Sequence, residues 1–371
     1  MTIAGQLDTV FYAGGFAPTG GIETFACSLL RGLTSRGERA GLICWGGRSP
    51  LVTALERDGI PVYRAPWRWG CRWRLPDSLL FLRSREPIRN ARTVVFGKPM
   101  PWSIQQGIAA IRPKPRCVLI TPYRPAEMWG SRGPGPEYLA CFEAVIVQAP
   151  SFAADLRRFG YGGEITVLPY LPPEPAVNIN PPPPGRVRIG FLGRLAAQKN
   201  LSCLLRASGQ LLASFDFELH FFGDGSEAKP ARLLAKQLGL DKIAFFHGNI
   251  PHNRIIAAID SCHFFAFAST SEGQCLAALE ILARGRPILA TPAGAFPDIL
   301  RDALFGTMAP PTAFEQYTAA LTSLVEAAEG NQIDYASIRD GYARRFSYSD
   351  TLDSYCRLLL PHCSSGVLRG N

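Results

Sequence analysis

The proline-rich stretch from Leu171 to Gly185 limits most sharply what this 371-residue chain can fold into. It holds Pro172, Pro173 and Pro175, then the unbroken run Pro181-Pro182-Pro183-Pro184. Proline fixes φ and carries no backbone N–H, so such a segment is extended, semi-rigid and excluded from a sheet interior. It lies near the middle of the chain, and it predicts two lobes joined by a stiff connector with a cleft between them. A hydrophobic fraction of 47% is ample for two cores.

On each side of the connector, short apolar runs alternate with segments of helical spacing. Before it, the runs Asp8–Ala13, Arg39–Trp45, Pro61–Tyr63, Val94–Phe96, Cys117–Ile120, Ala144–Val147 and Glu164–Leu168 read as strands. Helices are predicted over Ile22–Leu33, Leu51–Arg57 and Phe152–Arg158, the last with Ser151 as its N-cap. After it, strands are predicted over Arg186–Leu192, Phe217–Phe222, Ile243–Phe246, His263–Ala268 and Ile288–Ala290. Strands alternating with helices imply mostly parallel sheets, so the class is α/β. The expected division is residues 1–170, the connector 171–185, a second domain 186–345, and a terminal helix and tail 346–371.

Charge separates the two halves. Residues 1–180 carry a net +8 and all six Trp, whereas residues 181–371 carry +1 and all five His. The basic excess concentrates in Arg64 to Arg92, where eight Arg mingle with Trp67, Trp69 and Trp73 against only Asp77 and Glu86. Trp and Arg together suit the headgroup region of an anionic membrane, at ~1 kcal/mol per basic residue near the surface. The bland readings are a Trp-filled core and a solvated Arg face. No nucleic-acid-binding module is recognisable, so no nucleic-acid partner is expected. Met1 to Gly5 shows no cleavable signal pattern and no apolar run reaches membrane-spanning length. A cytoplasmic protein, peripheral on the inner face of the membrane, is the expectation. The ten Cys include no Cys-x-x-Cys pair, and they read as reduced core residues rather than zinc ligands or disulfides.

Three stretches carry candidate chemistry. Gly14 to Gly21 is a glycine-rich loop opening a helix, a form that can present backbone N–H groups to a phosphate. Many strand-to-helix turns use glycine for steric reasons only, and the spacing is neither a P-loop nor a dinucleotide fingerprint. Gly193-Arg194-Leu195-Ala196-Ala197-Gln198-Lys199-Asn200 places two cations directly after a strand, with Lys199 at a helix entrance. Ser269 to Gly285 sets Glu272 in a loop at a strand's carboxyl end and Glu280 eight residues on, inside the next helix. Ligands of open α/β sheets bind at that edge. Gly285 ends the helix and Pro287 prevents its return.

These stretches resemble retaining glycosyltransferases of family four, of the GT-B group, whose two Glu are usually separated by seven residues containing Gly-Phe-Gly-Leu-Pro. The chain keeps Glu272, Gly273, Leu276 and Glu280, and departs at Gln274, Cys275 and Ala277. Gly193-Arg194-Leu195 with Lys199-Asn200 is similar to the family's Gly-Arg-Leu-x-x-x-Lys-Asn. Gly20-Gly21-Ile22-Glu23 is similar to its Gly-Gly-x-Glu loop, Gly223-Asp224-Gly225 to its Gly-x-Gly turn, and Ala293 to Asp298 to its Gly-Gly-x-Pro-Glu. The matched segments cover roughly residues 190–300. Where relatives often place a histidine after a first-domain strand, this chain reads Thr121-Pro122-Tyr123-Arg124. The resemblance implies two Rossmann-like domains facing each other across a cleft, and a nucleotide-diphosphate sugar as donor.

The resemblance also implies roles. Arg194 and Lys199 would neutralise the leaving diphosphate. Glu272 would hold donor-sugar hydroxyls, and Glu280 the ribose diol. The amides of Gln274, Cys275 and Leu276, beside Gly273, would meet the β-phosphate. Asn249 and Ile250 would border the base. Gly20, Gly21 and Gly193 would line the donor diphosphate, and Tyr123 or Arg124 would serve the acceptor in place of histidine. A side chain at Cys275, in place of the family's glycine, would narrow the donor pocket. No Asp-x-Asp occurs, so no essential metal and no cofactor is expected. The expected acceptor is a polyprenyl-diphosphate-linked saccharide or another glycan, met at an anionic membrane surface through residues 64–92. Two other readings are a non-hydrolysing sugar-nucleotide epimerase and a catalytically inactive binding protein of the same fold.

Overall fold

The computed structural model describes residues 7–15, 20–45, 49–65, 85–97, 102–121, 123–130, 133–134, 136–310 and 313–360. The chain divides into two units, one of Met1–Leu171 with Tyr348–Asn371, the other of Pro172–Ser347. Each is built around a single parallel sheet.

The first unit's strands are β1 (Leu7–Gly15), β2 (Ala40–Trp45), β3 (Val62–Ala65), β4 (Ala91–Phe96), β5 (Arg116–Ile120), β6 (Ala144–Val147) and β7 (Glu164–Val167). They lie in the order β3-β2-β1-β4-β5-β6-β7. The order reverses between β1 and β4, which makes the sheet doubly wound. The inner strands are apolar on both faces because helices cover both, as parallel sheets require. Val10, Phe11, Val94, Val95, Val118 and Leu119 are all fully buried.

The helix Gly21–Ser35 buries Phe25, Ala26, Leu29, Leu30 and Leu33. Against it lies the terminal helix Tyr348–Leu359, packed close at Gly32, where a Cβ would stand 2.6 Å from the end of the Leu352 side chain. Tyr355 donates to the Pro169 carbonyl at 3.0 Å, and Thr93 donates to the Leu359 carbonyl at 2.6 Å. Those bonds tie the last helix into the first unit's core. The helix Pro150–Arg158 differs from the sequence expectation. Its cap is Ala149 rather than Ser151, because Pro150 fits the first helical position, where no N–H is needed.

The second unit has β8 (Val187–Leu192), β9 (Phe217–Phe222), β10 (Ala244–Gly248), β11 (Phe264–Ala266), β12 (Ile288–Ala290) and β13 (Gly306–Met308). Their order is β10-β9-β8-β11-β12-β13, again reversing once, between β8 and β11. The proline-rich segment is bonded into this unit. Ala176 N–H donates to the Ala283 carbonyl at 2.9 Å, and Asn180 donates to Asp260 at 2.8 Å. Fully buried Arg286 donates to the Cys262, Asp260 and Asn180 carbonyls and stacks over Tyr335, which fixes the same segment from below.

Most of the basic, Trp-rich stretch lies outside the described residues, including Trp67, Trp69 and Trp73, as do Phe16 to Thr19 of the first glycine-rich loop. Of its arginines, Arg64 pairs with Glu56 at 2.6 Å and Arg92 with Asp8 at 3.5 Å, while Arg85 and Arg89 are exposed. Among the described residues no helix is long and apolar enough to cross a membrane, and the cysteines are all free thiols.

Candidate functional site

In the second unit the two strands flanking the reversal are β8 and β11, and the loops leaving their carboxyl ends carry the candidate residues. This is where an open α/β sheet leaves a crevice, since the helices depart in opposite directions there. The β8 loop is shaped by glycine. Gly193 has φ 146°, and its N–H donates to the Phe222 carbonyl at 2.9 Å. A Cβ on Gly223 would lie 1.9 Å from the Gly193 oxygen, and one on Gly225 would lie 2.2 Å from that of Leu195. Only side-chain-free residues let the ends of β8 and β9 pack this closely. Leu195, fully buried, anchors the loop, and Arg194 beside it is exposed. A short turn over Ala197–Lys199 follows, and Asn200, at φ 47°, starts the helix Leu201–Leu211.

The β11 loop is bonded directly onto that of β8. Thr270 N–H and its hydroxyl both donate to the Gln198 carbonyl, at 2.8 and 3.3 Å. Lys199 Nζ then donates to Glu272 Oε1 at 2.5 Å, and Ser269 Oγ donates to the same oxygen at 2.7 Å. The pair is largely removed from water, with 14% of the Lys199 side chain and 6% of the Glu272 side chain exposed. From the other side Thr291 donates to the Ser269 carbonyl, and Ala295 N–H donates to that of Gly273 at 3.0 Å. Gly294, at φ 54°, permits that approach, for its Cβ would lie 2.3 Å from the Glu272 oxygen. Glu272 is therefore held by two side chains and by a backbone bracket.

Cys275 caps the helix Leu276–Ala283 at φ 57° and ψ 77°, a left-handed conformation that favours glycine. The glycine usual here in the resembling family thus has a backbone reason. Burial, with the Glu272 carboxylate adding to it, pushes the Cys275 thiol up to about 12, so it remains protonated and unreactive at neutral pH. Gly273 and Gln274 are buried, Gln274 at 2% exposure. Glu280 lies on the second turn of the helix, half-buried, and desolvation raises its carboxyl to about 7.

Asn249 is exposed and Ile250 half-buried, just past β10. The sequence reading missed what precedes them, an aromatic stack on the ends of β9 and β10. His247 lies on Phe222 with ring centroids 4.7 Å apart and planes 12° apart, and its Nε2 is 3.0 Å from His220 Nδ1. Desolvation lowers both imidazoles, so they are neutral at pH 7. Alternation of large aromatics along two adjacent parallel strands was the signal available for it.

The remaining candidates belong to the first unit. Gly20 caps the helix Gly21–Ser35, and the Glu23 carboxylate folds back so close that a Cβ at Gly20 would lie 2.1 Å from it. Tyr123 is 40% exposed after β5. Arg124 is held by Asp155, Nε to Oδ2 at 2.8 Å, and Arg158 bonds the other oxygen at 3.0 Å. With 4% of its side chain exposed, Asp155 makes Arg124 a brace between the β5 loop and the helix Pro150–Arg158.

Residues 175–337 match the family described as glycosyl transferases group 1. Over 149 residues, 39% of this chain, it is 29% identical to the MMP alpha-(1->4)-mannosyltransferase of Mycolicibacterium hassiacum, and the match spans 36% of that protein. Over 190 residues, 51% of this chain, it is 28% identical to a GDP-mannose-dependent alpha-mannosyltransferase of Mycolicibacterium smegmatis, spanning 48% of it. The matches therefore reach half or less of these relatives' lengths. In three dimensions the chain resembles Anabaena Alr3699/HepE, solved in complex with UDP, with a TM-score of 0.75 and 16% identity over 95% of this chain and 99% of that one. The chain has the GT-B fold, and residues 175–337, nearly all of its second unit, match the glycosyl transferases group 1 family.

Proposed function

We propose that the protein is a retaining, metal-independent glycosyltransferase that moves a hexosyl group from a UDP- or GDP-sugar to a lipid-linked saccharide or other glycan. The observation that carries this reading is the locked pair of loops at the second sheet's reversal. There a lysine and a carboxylate, both nearly dry, are fixed 2.5 Å apart at the sheet edge. Oε1 of Glu272 takes both internal hydrogen bonds, which leaves Oε2 for donor-sugar hydroxyls. Lys199 brings a positive charge to a phosphate oxygen, and exposed Arg194 adds a second cation on the same loop. Glu280 accepts the ribose hydroxyls, and the aromatic stack of Phe222 and His247 borders the base beside Asn249 and Ile250. In the reaction the bond from the anomeric carbon to the β-phosphate oxygen breaks, and an acceptor oxygen bonds to the same face. The acceptor's proton passes to the departing diphosphate. Preformed positive charge where the negative charge grows is the main source of acceleration.

The relatives' names support the class: both are mannosyltransferases, and the Anabaena structure holds UDP. The test incubates the protein with a panel of UDP- and GDP-hexoses, with and without a polyprenyl-linked or alkyl glycoside, in EDTA. Acceptor-dependent release of UDP or GDP, with an α-linked product by NMR, is expected. Interconversion of the sugar nucleotide without acceptor would establish the epimerase reading, and nucleotide-sugar binding without release would establish the binding protein. Cytoplasmic placement on the inner membrane face belongs to the same proposal. Replacing the arginines of residues 64–92 by serine should lower binding to phosphatidylglycerol vesicles, and unchanged binding would remove the membrane surface from it.

A further inference from the structure

Gln148 directly follows β6, at the carboxyl edge of the first unit's sheet, and it is 6% exposed. Among the described residues neither its Oε1 nor its Nε2 has a hydrogen-bond partner. On the neighbouring strand, Thr121 directly follows β5, is fully buried, and its Oγ1 is likewise without a partner. The backbone around them is fixed: Thr121 N–H donates to the Ile146 carbonyl at 3.1 Å, and Leu168 N–H donates to that of Val147 at 2.9 Å. The Arg124–Asp155 ion pair braces the segments that follow. Two adjacent strand ends thus each hold an orphaned polar group at the edge where parallel sheets bind ligands.

Buried polar groups without partners are rare in folded proteins, and each needs a reason. Other orphaned hydroxyls occur here, but Thr9 lies inside β1 and Tyr317 on the helix Phe314–Glu329, and each is a single hydroxyl. At Gln148 a whole amide is left over, able to accept two hydrogen bonds and donate two. That combination matches a pair of neighbouring hydroxyls, one donating to Oε1 while the other accepts from Nε2. A phosphate would face Oε1 lone pair against lone pair, and an apolar group would satisfy neither atom.

We infer that Gln148, with the Thr121 hydroxyl on the adjacent strand, is a specificity-determining contact for a polyhydroxylated acceptor, a saccharide or polyol. The inference rests on the glycosyl-transfer reading for its biological sense, but its test does not. With glutamine labelled at the side-chain nitrogen, the Gln148 amide signal is identified as the one lost in Gln148→Met. Titration with methyl α-mannoside and methyl α-glucoside should shift that signal, whereas inorganic phosphate and UDP should not. Gln148→Met, close in shape and without the orphaned atoms, should melt at or above the wild-type Tm. In a transfer assay it should raise the acceptor KM at least tenfold and leave the Kd for UDP or GDP unchanged. A signal moved by phosphate but by neither glycoside, or a lower Tm in Gln148→Met, would overturn the inference, the latter because the amide is then satisfied within the fold. Glycoside binding at Gln148 without any transfer would sink the transferase reading and leave this one standing. Transfer with an unchanged acceptor KM in Gln148→Met would do the reverse.

Discussion

Glu280 offers the sharpest quantitative test, because its carboxyl is displaced from an ordinary 4.5 to about 7 by desolvation. The neutral acid is favoured in the folded state. Below pH 4.5 the side chain is protonated whether folded or not, and nothing is lost. As pH rises toward 7 and beyond, the folded protein must either keep a proton the unfolded chain would release or bury a charge. At about 1.4 kcal/mol per pH unit, the full cost above pH 7 is about 3 kcal/mol, of which about 1.4 kcal/mol is already present at pH 5.5. Glu280→Gln keeps the shape and removes the titration. It should therefore be more stable than wild type by about 3 kcal/mol at pH 8.5 and by about 2 kcal/mol less than that at pH 5.5. For a unit of this size that is a rise of roughly 6–12 °C in Tm at the higher pH. Melting both proteins without ligand across this range gives the difference directly. A pH-independent difference would refute the desolvation account. The ligand arm is separate: if the ionised carboxylate accepts the ribose hydroxyls, UDP or GDP binding should tighten roughly tenfold from pH 6 to 8. In Glu280→Gln it should be weaker and flat.

Lys199→Ala leaves the buried Glu272 carboxylate without its cation and should cost about 3 kcal/mol of stability, measured by urea unfolding at pH 7.5. Adding Glu272→Gln should restore stability but not the affinity for UDP or GDP, which falls about tenfold or more with the lost charge-assisted bond. Gly294→Ala puts a Cβ 2.3 Å from the Glu272 carbonyl oxygen, so donor affinity by calorimetry should drop at least as far, with no charge changed. Cys275→Gly removes an L-residue from φ 57° and should raise stability by about 0.5 kcal/mol, the conformational relief of about 1–2 kcal/mol being offset by the freer unfolded chain. Cys275→Ala should show no such gain, and an equal gain in both would disprove the backbone explanation.

Much of this was local and therefore legible in the sequence. Prolines that cannot join a sheet, apolar runs of strand length and glycine at helix ends act within a few residues, so the α/β class and most elements followed from them. Arg194, Lys199, Glu272 and Glu280 could be picked out because each sits beside a strand or on a helix face at recognisable spacing. The last three elements of the second unit, β13 and the helices Phe314–Glu329 and Tyr335–Arg345, are not among the sequence expectations, although Pro310 and Gly330 bracket the first of those helices. Ser151 was misjudged because a cap depends on where the chain turns, and Pro150 moved that turn.

What the sequence by itself determined was the set of chemical groups and the order of elements that carries them. Only the tertiary structure decided which groups meet. Strand order within a parallel sheet is set by crossovers that pack helices on both faces, and no neighbouring residues encode it. That order brings β8 beside β11, although 71 residues separate the end of β8 from the start of β11, and so lays Lys199 on Glu272. The same long-range packing, removing water from Glu280 and Gln148, gave a common carboxyl an uncommon pKa and left an ordinary amide unpaired.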